Sequence, residues 1–103
     1  MLSASLDEAT RASLELARLA MIDSRLASRE GLSDAARALQ ALSENAMVIA
    51  KYLTSGSISA VISRLESSDM RELLAYASPR TAEAYESLRY YLTYLQGLHG
   101  SSR

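Results

Sequence analysis

Cysteine, tryptophan and phenylalanine are absent from this chain of 103 residues, and histidine occurs once, as His99. Without cysteine there can be no disulfide, no thiolate nucleophile and no cysteine-ligated zinc site. A single histidine leaves no histidine pair for a metal, and a serine nucleophile would have little besides carboxylates as its base. We therefore expect a protein that is not an enzyme and that has no cofactor and no metal.

Long apolar runs and an excess of one charge are also missing. No apolar stretch approaches the roughly 20 residues needed to span a membrane. The N-terminal segment MLSASLDEAT lacks the basic start and the apolar stretch of a signal peptide. The 11 basic and 12 acidic side chains give a net charge of −1, so binding to nucleic acid would require a local basic patch. We expect a cytoplasmic protein that does not contact a membrane.

Proline and glycine are scarce, and most of them stand where helices should begin or end. Ser5 and Glu8 have the spacing of a capping box, in which each side chain satisfies a backbone amide at the start of a helix. Gly31 can adopt the left-handed conformation that ends a helix. Ser78 followed by Pro79 is typical of a helix start, because proline at the first helical position loses no hydrogen bond.

Apolar residues recur at intervals of three and four along most of the chain, which is the spacing of a helix with one buried face. The clearest run is Ala35, Leu39, Leu42, Ala46, Ile49 and Leu53. We predict one all-α domain, residues 1–103, folded as a compact antiparallel bundle of four to five helices. The predicted helices span about 6–29, 34–54, 58–66, 69–77 and 79–96, followed by a tail at 97–103.

The last predicted helix contains three tyrosines within the stretch LRYYLTYLQ. Its core-facing stripe should be Tyr85, Leu88, Leu92 and Leu95. Tyr90 and Tyr94 are four apart and share a different face of the helix. In order of preference, we expect these two rings to pack within the molecule, to contact another protein or to stack on nucleic-acid bases. Base stacking comes last because few basic residues are interleaved with the tyrosines.

A line of arginines projects from the first predicted helix within an arc of about 40°. Its members are Arg11, Arg18, Arg25 and Arg29. The preferred interpretation is a solvated face with local ion pairs from Asp7 to Arg11 and from Glu15 to Arg18. An acidic protein partner or a phosphate backbone is the alternative.

Some apolar residues lie on the wrong side of their helix. The main apolar arc of the first helix contains Ala9, Ala12, Leu16, Leu19, Ala20 and Leu26. Leu14 and Met21 lie outside this arc, and Val48 lies roughly opposite the apolar seam of the second helix. A helix that is apolar on two sides is either central in a bundle or buried against another chain. With so few helices available, a second chain is preferred over scattered exposed apolar side chains.

The segments ALSENAMVIAKYL (41–53) and AYESLRYYLTYLQ (84–96) resemble the small helical subunit of archaeal type I-A CRISPR effector (Cascade) complexes. The similarity consists of helical composition and a Leu-Arg-Tyr-Tyr element. It implies a non-catalytic subunit that lines a ribonucleoprotein filament and contacts the guide–target duplex or the displaced strand through basic side chains. In the matching element, Arg89 is the position that could make such a contact.

These patterns predict a non-enzymatic protein-interaction subunit that self-associates or acts as an adaptor in a larger assembly. The candidate interface residues are Leu14, Met21, Val48, Tyr90 and Tyr94. The alternative is a small helical subunit of a CRISPR or other nucleic-acid-processing ribonucleoprotein complex that contacts phosphates through arginines. The candidate nucleic-acid contacts are Arg11, Arg18, Arg25, Arg29 and Arg89.

Overall fold

The computed structural model describes the backbone of residues 2–101 and the side chains of residues 6–97. Every regular element in that part of the chain is a helix, and together the helices form a compact bundle with extents of 51 × 23 × 21 Å. The helices are α1 Leu2–Arg29, α2 Ser33–Ser55, α3 Ile58–Leu65, α4 Ser68–Leu74 and α5 Pro79–Ser101. The predicted all-α helical bundle is confirmed.

The first two helices, α1 and α2, form an antiparallel hairpin. The turn between them passes through Gly31, whose φ of +76° is the left-handed conformation that its sequence position predicts. Small residues line both sides of the hairpin seam, so the helices approach closely enough for serine side chains to donate to carbonyls of the opposite helix. The bonds are Ser13 Oγ to Ala46 O, Ser43 Oγ to Ala17 O and Ser24 Oγ to Ala36 O. Each buried hydroxyl is thereby satisfied.

The start of α5 is fastened to α1. As predicted, Ser78 caps α5, and its Oγ accepts a hydrogen bond from the backbone amide of Thr81 at 3.3 Å. Asp23 Oδ2 on α1 accepts from the Ser78 amide at 3.0 Å and from Thr81 Oγ1 at 2.6 Å. Because Asp23 lies near the C-terminal end of α1, α5 can pack along α1 only by running antiparallel to it.

The core lies where α1, α2 and α5 meet, and the short helices α3 and α4 cover its remaining side. Its fully buried large side chains include Leu16, Leu42, Ile49, Leu53, Leu65, Met70, Leu88, Leu92 and Leu95. The predicted stripe on α5 is buried as expected, and five of the six residues predicted for the α2 seam are buried, with Ala35 half-buried against the core. The Tyr85 hydroxyl donates to the Leu65 carbonyl at 3.0 Å and so ties α5 to α3.

Two predicted helix starts are wrong. α1 begins at Leu2, so Ser5 lies inside the helix instead of capping it. α4 begins at Ser68, one residue earlier than the predicted start, and the Oγ of its cap Ser67 accepts from the Met70 amide at 3.3 Å. Two serines stand close together near each start, Ser3 and Ser5 in α1 and Ser67 and Ser68 at α4, and the local pattern alone does not fix where the helix begins.

Two predicted helix ends are also wrong. α4 ends at Leu74 and not at 77, because the amides of Ala75, Tyr76 and Ala77 bond carbonyls three residues back and tighten the chain into turns. α5 continues through Gly97 to Ser101, where a tail was predicted. A glycine inside a helix costs only about 1 kcal/mol relative to alanine, so it need not end one. The side chain of His99 lies outside the described residues.

Candidate interaction surfaces

Large apolar side chains are exposed at several positions of the described chain. They are Leu14, Ile22, Leu26, Leu32, Met47, Tyr76, Tyr90 and Tyr94. All but Met47 fall on three surfaces: the outer face of α1, one face of α5, and a cleft at the turn of the α1–α2 hairpin; Met47 lies on α2 beside the hairpin seam. Grouped exposure of this kind is typical of binding surfaces.

The arginine face of α1 consists of Arg11, Arg18, Arg25 and Arg29, all of which are exposed. Leu14, 44% exposed, lies on one side of this line and Ile22 on the other. The predicted Glu15–Arg18 ion pair is present, with Arg18 Nε 3.0 Å from Glu15 Oε2. The Arg18 hydrogen bond lowers the pKa of the Glu15 carboxyl below its ordinary value. The predicted Asp7–Arg11 pair is not among the ion pairs found within residues 6–97.

The structure separates the three apolar residues predicted outside the main arcs. Met21 and Val48 are half-buried, whereas Leu14 is exposed. Leu14 and Met21 lie on the side of α1 that borders α2, but Val48 lies on the opposite side of α2 from that border. Met47, which sequence reasoning missed, is exposed next to the seam. Ser13 and Ala46 face each other across the seam, and Leu14 and Met47 are the residues that follow them, so both lie just outside it on the same side. The surface beside the hairpin seam therefore contains Leu14 and Met47 but not Val48.

The tyrosine face of α5 consists of Tyr90 and Tyr94 together with Glu83 and Glu86, all exposed. Tyr90 is 70% exposed, and its ring meets Tyr91 edge-on, with centroids 5.8 Å apart and planes at 72°. The preferred prediction, packing of both rings within the molecule, is therefore wrong for Tyr90. This face presents aromatic rings beside carboxylates.

Arg89 does not join the arginines of α1. It lies on α5 toward α3 and α4, in a cavity that it shares with Glu66, Arg71 and Tyr85. Its Nη1 is 3.9 Å from a carboxylate oxygen of Glu86. Burial raises the pKa of the neighbouring Tyr85 hydroxyl above its ordinary value. The five predicted nucleic-acid contacts are thus divided between two separate surfaces.

The hairpin cleft lies beside the turn between α1 and α2, where the segment between α4 and α5 approaches it. Leu26, Leu32 and Tyr76 form its walls and are 50%, 51% and 50% exposed. The cleft measures about 250 Å³, and its remaining apolar lining is Ala27, Ala35, Leu39 and Ala77. Asp23 and Glu30 also line it, and no basic side chain does.

Exposure of Leu26 corrects its predicted place in the buried arc of α1. α5 begins beside Asp23, so the last turn of α1 extends past the start of α5 and Leu26 has no helix over it. Sequence reasoning did not find this cleft. Its one visible signal is Leu32, a large apolar residue placed directly after the glycine of a turn.

A cavity of about 520 Å³ lies between α2, α3 and the start of α4, lined in part by Asn45, Tyr52 and Arg64. Its polar groups engage one another, since Arg64 Nη1 donates to Asn45 Oδ1 at 2.7 Å and the guanidinium lies 5.9 Å from the Tyr52 ring centroid. Among the described residues, no three His, Asp or Glu side chains are grouped so that they could hold a metal ion. In the same part of the chain, no helix combines the length and apolarity needed to cross a bilayer.

No protein-family model matches this chain, and neither curated proteins nor solved structures give a match. The features of the chain that bear on function are the arginine face, the tyrosine face and the hairpin cleft.

Proposed function

We propose that this chain is a cytoplasmic, non-enzymatic interaction subunit whose first partner is a further copy of itself. One observation carries the proposal: the arginine face of α1 and the tyrosine face of α5 are complementary. One presents guanidinium groups beside Leu14 and Ile22, and the other presents the carboxylates of Glu83 and Glu86 beside exposed rings.

The chemistry of the two faces suits a protein interface. Arginine and tyrosine are enriched at interface centres, where a guanidinium can stack on a ring while its edge bonds a carboxylate. A cation over an aromatic ring contributes about 0.5–2 kcal/mol, depending on how dry the contact is. Burial of the flanking apolar groups adds roughly 25 cal/mol per Å².

Light scattering after size exclusion, at several concentrations and two salt concentrations, tests self-association. We expect the mean mass to rise with concentration and to fall as salt screens the paired faces. Tyr90→Ser combined with Tyr94→Ser should shift the protein toward the monomer. Gln96→Ala, an exposed change on another side of α5, is the matched control and should leave the mass unchanged. A single monomeric mass up to high concentration, at low and high salt, would contradict the proposal.

We propose as a second candidate that the arginine face contacts a phosphate backbone, as the resemblance to the small CRISPR effector subunit implies. Its support is that Arg11, Arg25 and Arg29 are exposed and take part in none of the ion pairs found within the described side chains. Three or four arginines aligned along a helix can follow successive phosphates.

Titration with single- and double-stranded RNA and DNA at two salt concentrations distinguishes this candidate. Binding through phosphates must weaken steeply with salt, and it should be reduced by Arg11→Ala combined with Arg25→Ala. Arg71→Ala, on α4, is the control that removes one positive charge outside the arginine face. Absence of binding at low salt would exclude the candidate.

A further inference from the structure

We propose that the hairpin cleft is a docking site for a segment of another protein that presents one or two large apolar side chains flanked by lysine or arginine. This inference goes beyond self-association, because it uses neither the arginine face nor the tyrosine face.

The shape of the cleft favours an inserted side chain over a small-molecule ligand. Its walls are three half-exposed side chains, and small residues, Ala27, Ala35 and Ala77, leave the space between them. At about 250 Å³ and open to solvent, it is smaller than the roughly 300–1,000 Å³ of most small-molecule pockets. One leucine or aromatic side chain is the kind of group that anchors in such a space.

The acidic residues around the cleft favour basic residues on either side of the partner's apolar side chain. Asp23 and Glu30 line the cleft, and Asp34 lines an adjoining depression that shares Leu32 and Tyr76. Asp34 is paired with Arg37 at 2.7 Å, and Asp23 accepts two hydrogen bonds from the start of α5. Glu30 takes part in no ion pair found among the described residues, so it is the carboxylate that a partner cation can engage.

The same charges argue against other occupants. Two copies of this chain docked cleft to cleft would bring the negative carboxylates of both clefts together. Their mutual repulsion and the loss of their water would disfavour the contact. A phosphate backbone would meet the same repulsion. A basic apolar segment alone satisfies both the apolar walls and the acidic lining.

Selection from a random-peptide display library against the full chain tests the site. We expect the enriched peptides to contain a large apolar residue flanked by lysine or arginine. Their affinity should fall by about tenfold or more in Leu26→Ser and in Glu30→Lys. Tyr90→Ser, an equally drastic change on the tyrosine face, is the matched control and should leave affinity unchanged.

A second readout keeps the site testable if one variant is poorly folded. In two-dimensional amide spectra of the full chain, an enriched peptide should shift signals from residues 26–35 and 76–78. Leu32→Ser and Tyr76→Ser should each remove these shifts while leaving the circular dichroism spectrum unchanged. Failure to enrich any peptide, enrichment of acidic peptides, or shifts confined to α5 beyond residue 83 would overturn the inference. None of these outcomes would affect self-association, which is measured on other variants.

Discussion

At the scale of single residues, Asp23 is the carboxylate whose hydrogen bonds join two helices within the described residues. It is half-buried on α1, yet it accepts one hydrogen bond from the backbone and one from the side chain at the start of α5. Thr81, one of the donors, is fully buried. The orientation of α5 on α1 therefore depends on a contact between residues more than fifty positions apart.

Replacing Asp23 with alanine should destabilise the fold by about 1.5–3 kcal/mol, because two hydrogen bonds to a charged acceptor are lost and a buried hydroxyl keeps only Ser78 as a partner. Urea unfolding followed by circular dichroism measures the loss as a lower midpoint at unchanged slope. Asp34→Asn, which removes an exposed ion pair, should change stability by less than about 1 kcal/mol. Equal effects of the two changes would contradict the anchoring role of Asp23.

Tyr85 should make stability sensitive to alkaline pH. Burial raises its pKa in the folded state, so as pH rises past the ordinary tyrosine value the unfolded chain loses this proton first. Stability is therefore fully present below that value and declines as pH rises toward the folded pKa. Tyr85→Phe should cost about 0.5–1.5 kcal/mol at neutral pH, through loss of the bond to Leu65, but should flatten the alkaline decline.

Urea midpoints measured from neutral to strongly alkaline pH test this expectation. Tyr90→Phe is the control, because Tyr90 is largely exposed and its removal should leave the alkaline decline intact. An undiminished decline in Tyr85→Phe would show that another group causes it.

At the scale of elements, the α1–α2 hairpin depends on the small size of its facing residues. Ala46 and Ala20 are fully excluded from solvent, and serine hydroxyls donate hydrogen bonds to carbonyls across the seam. Such bonds require close backbones, so the seam has no room for larger side chains. Close packing of small side chains and hydrogen bonds across the seam therefore stabilise the hairpin in addition to apolar burial.

Ala46→Leu should destabilise the fold by about 1–3 kcal/mol, since the added atoms force α1 and α2 apart and stretch the bond from Ser13. Met47→Leu adds no bulk at the neighbouring exposed position and should change stability by less than about 0.5 kcal/mol. Thermal and urea unfolding measure both. A neutral Ala46→Leu would mean that the seam is looser than the structure shows.

The elements were largely predictable because periodicity, caps and turns are local signals. The run from Leu39 to Leu53, the left-handed Gly31 and the Ser78 cap all follow from neighbouring residues. The hairpin cleft was not predictable, since Leu26, Leu32 and Tyr76 come from separate segments that only the tertiary fold brings together. Exposure of Leu26 likewise depends on where α5 begins against α1, which no local pattern encodes.

At the scale of the whole molecule, a net charge of −1 hides an uneven distribution. Positive charge is aligned on α1, whereas the tyrosine face and the hairpin cleft carry carboxylates. A nearly neutral protein with separated patches of opposite sign is suited to association, because each patch can face its opposite on another molecule.

Reversing the charge of Arg11 and Arg25 to glutamate should suppress self-association, since both proposed contact faces would then be acidic. Light scattering at low salt should show the monomer over the concentration range in which the parent chain associates. Arg71→Glu, which changes one charge outside both faces, should associate like the parent. Association that persists in the doubly reversed variant would exclude α1 from the contact.

The short connection between α1 and α2 also bears on the order in which the chain folds. Three residues, 30–32, separate the helices, and closing so small a loop costs little entropy. Contacts between sequence neighbours form early in folding, so we expect this pair, which also shares the most extensive seam in the bundle, to form first. We expect the C-terminal half to dock afterwards onto this preformed template, with Asp23 fixing the position at which α5 attaches.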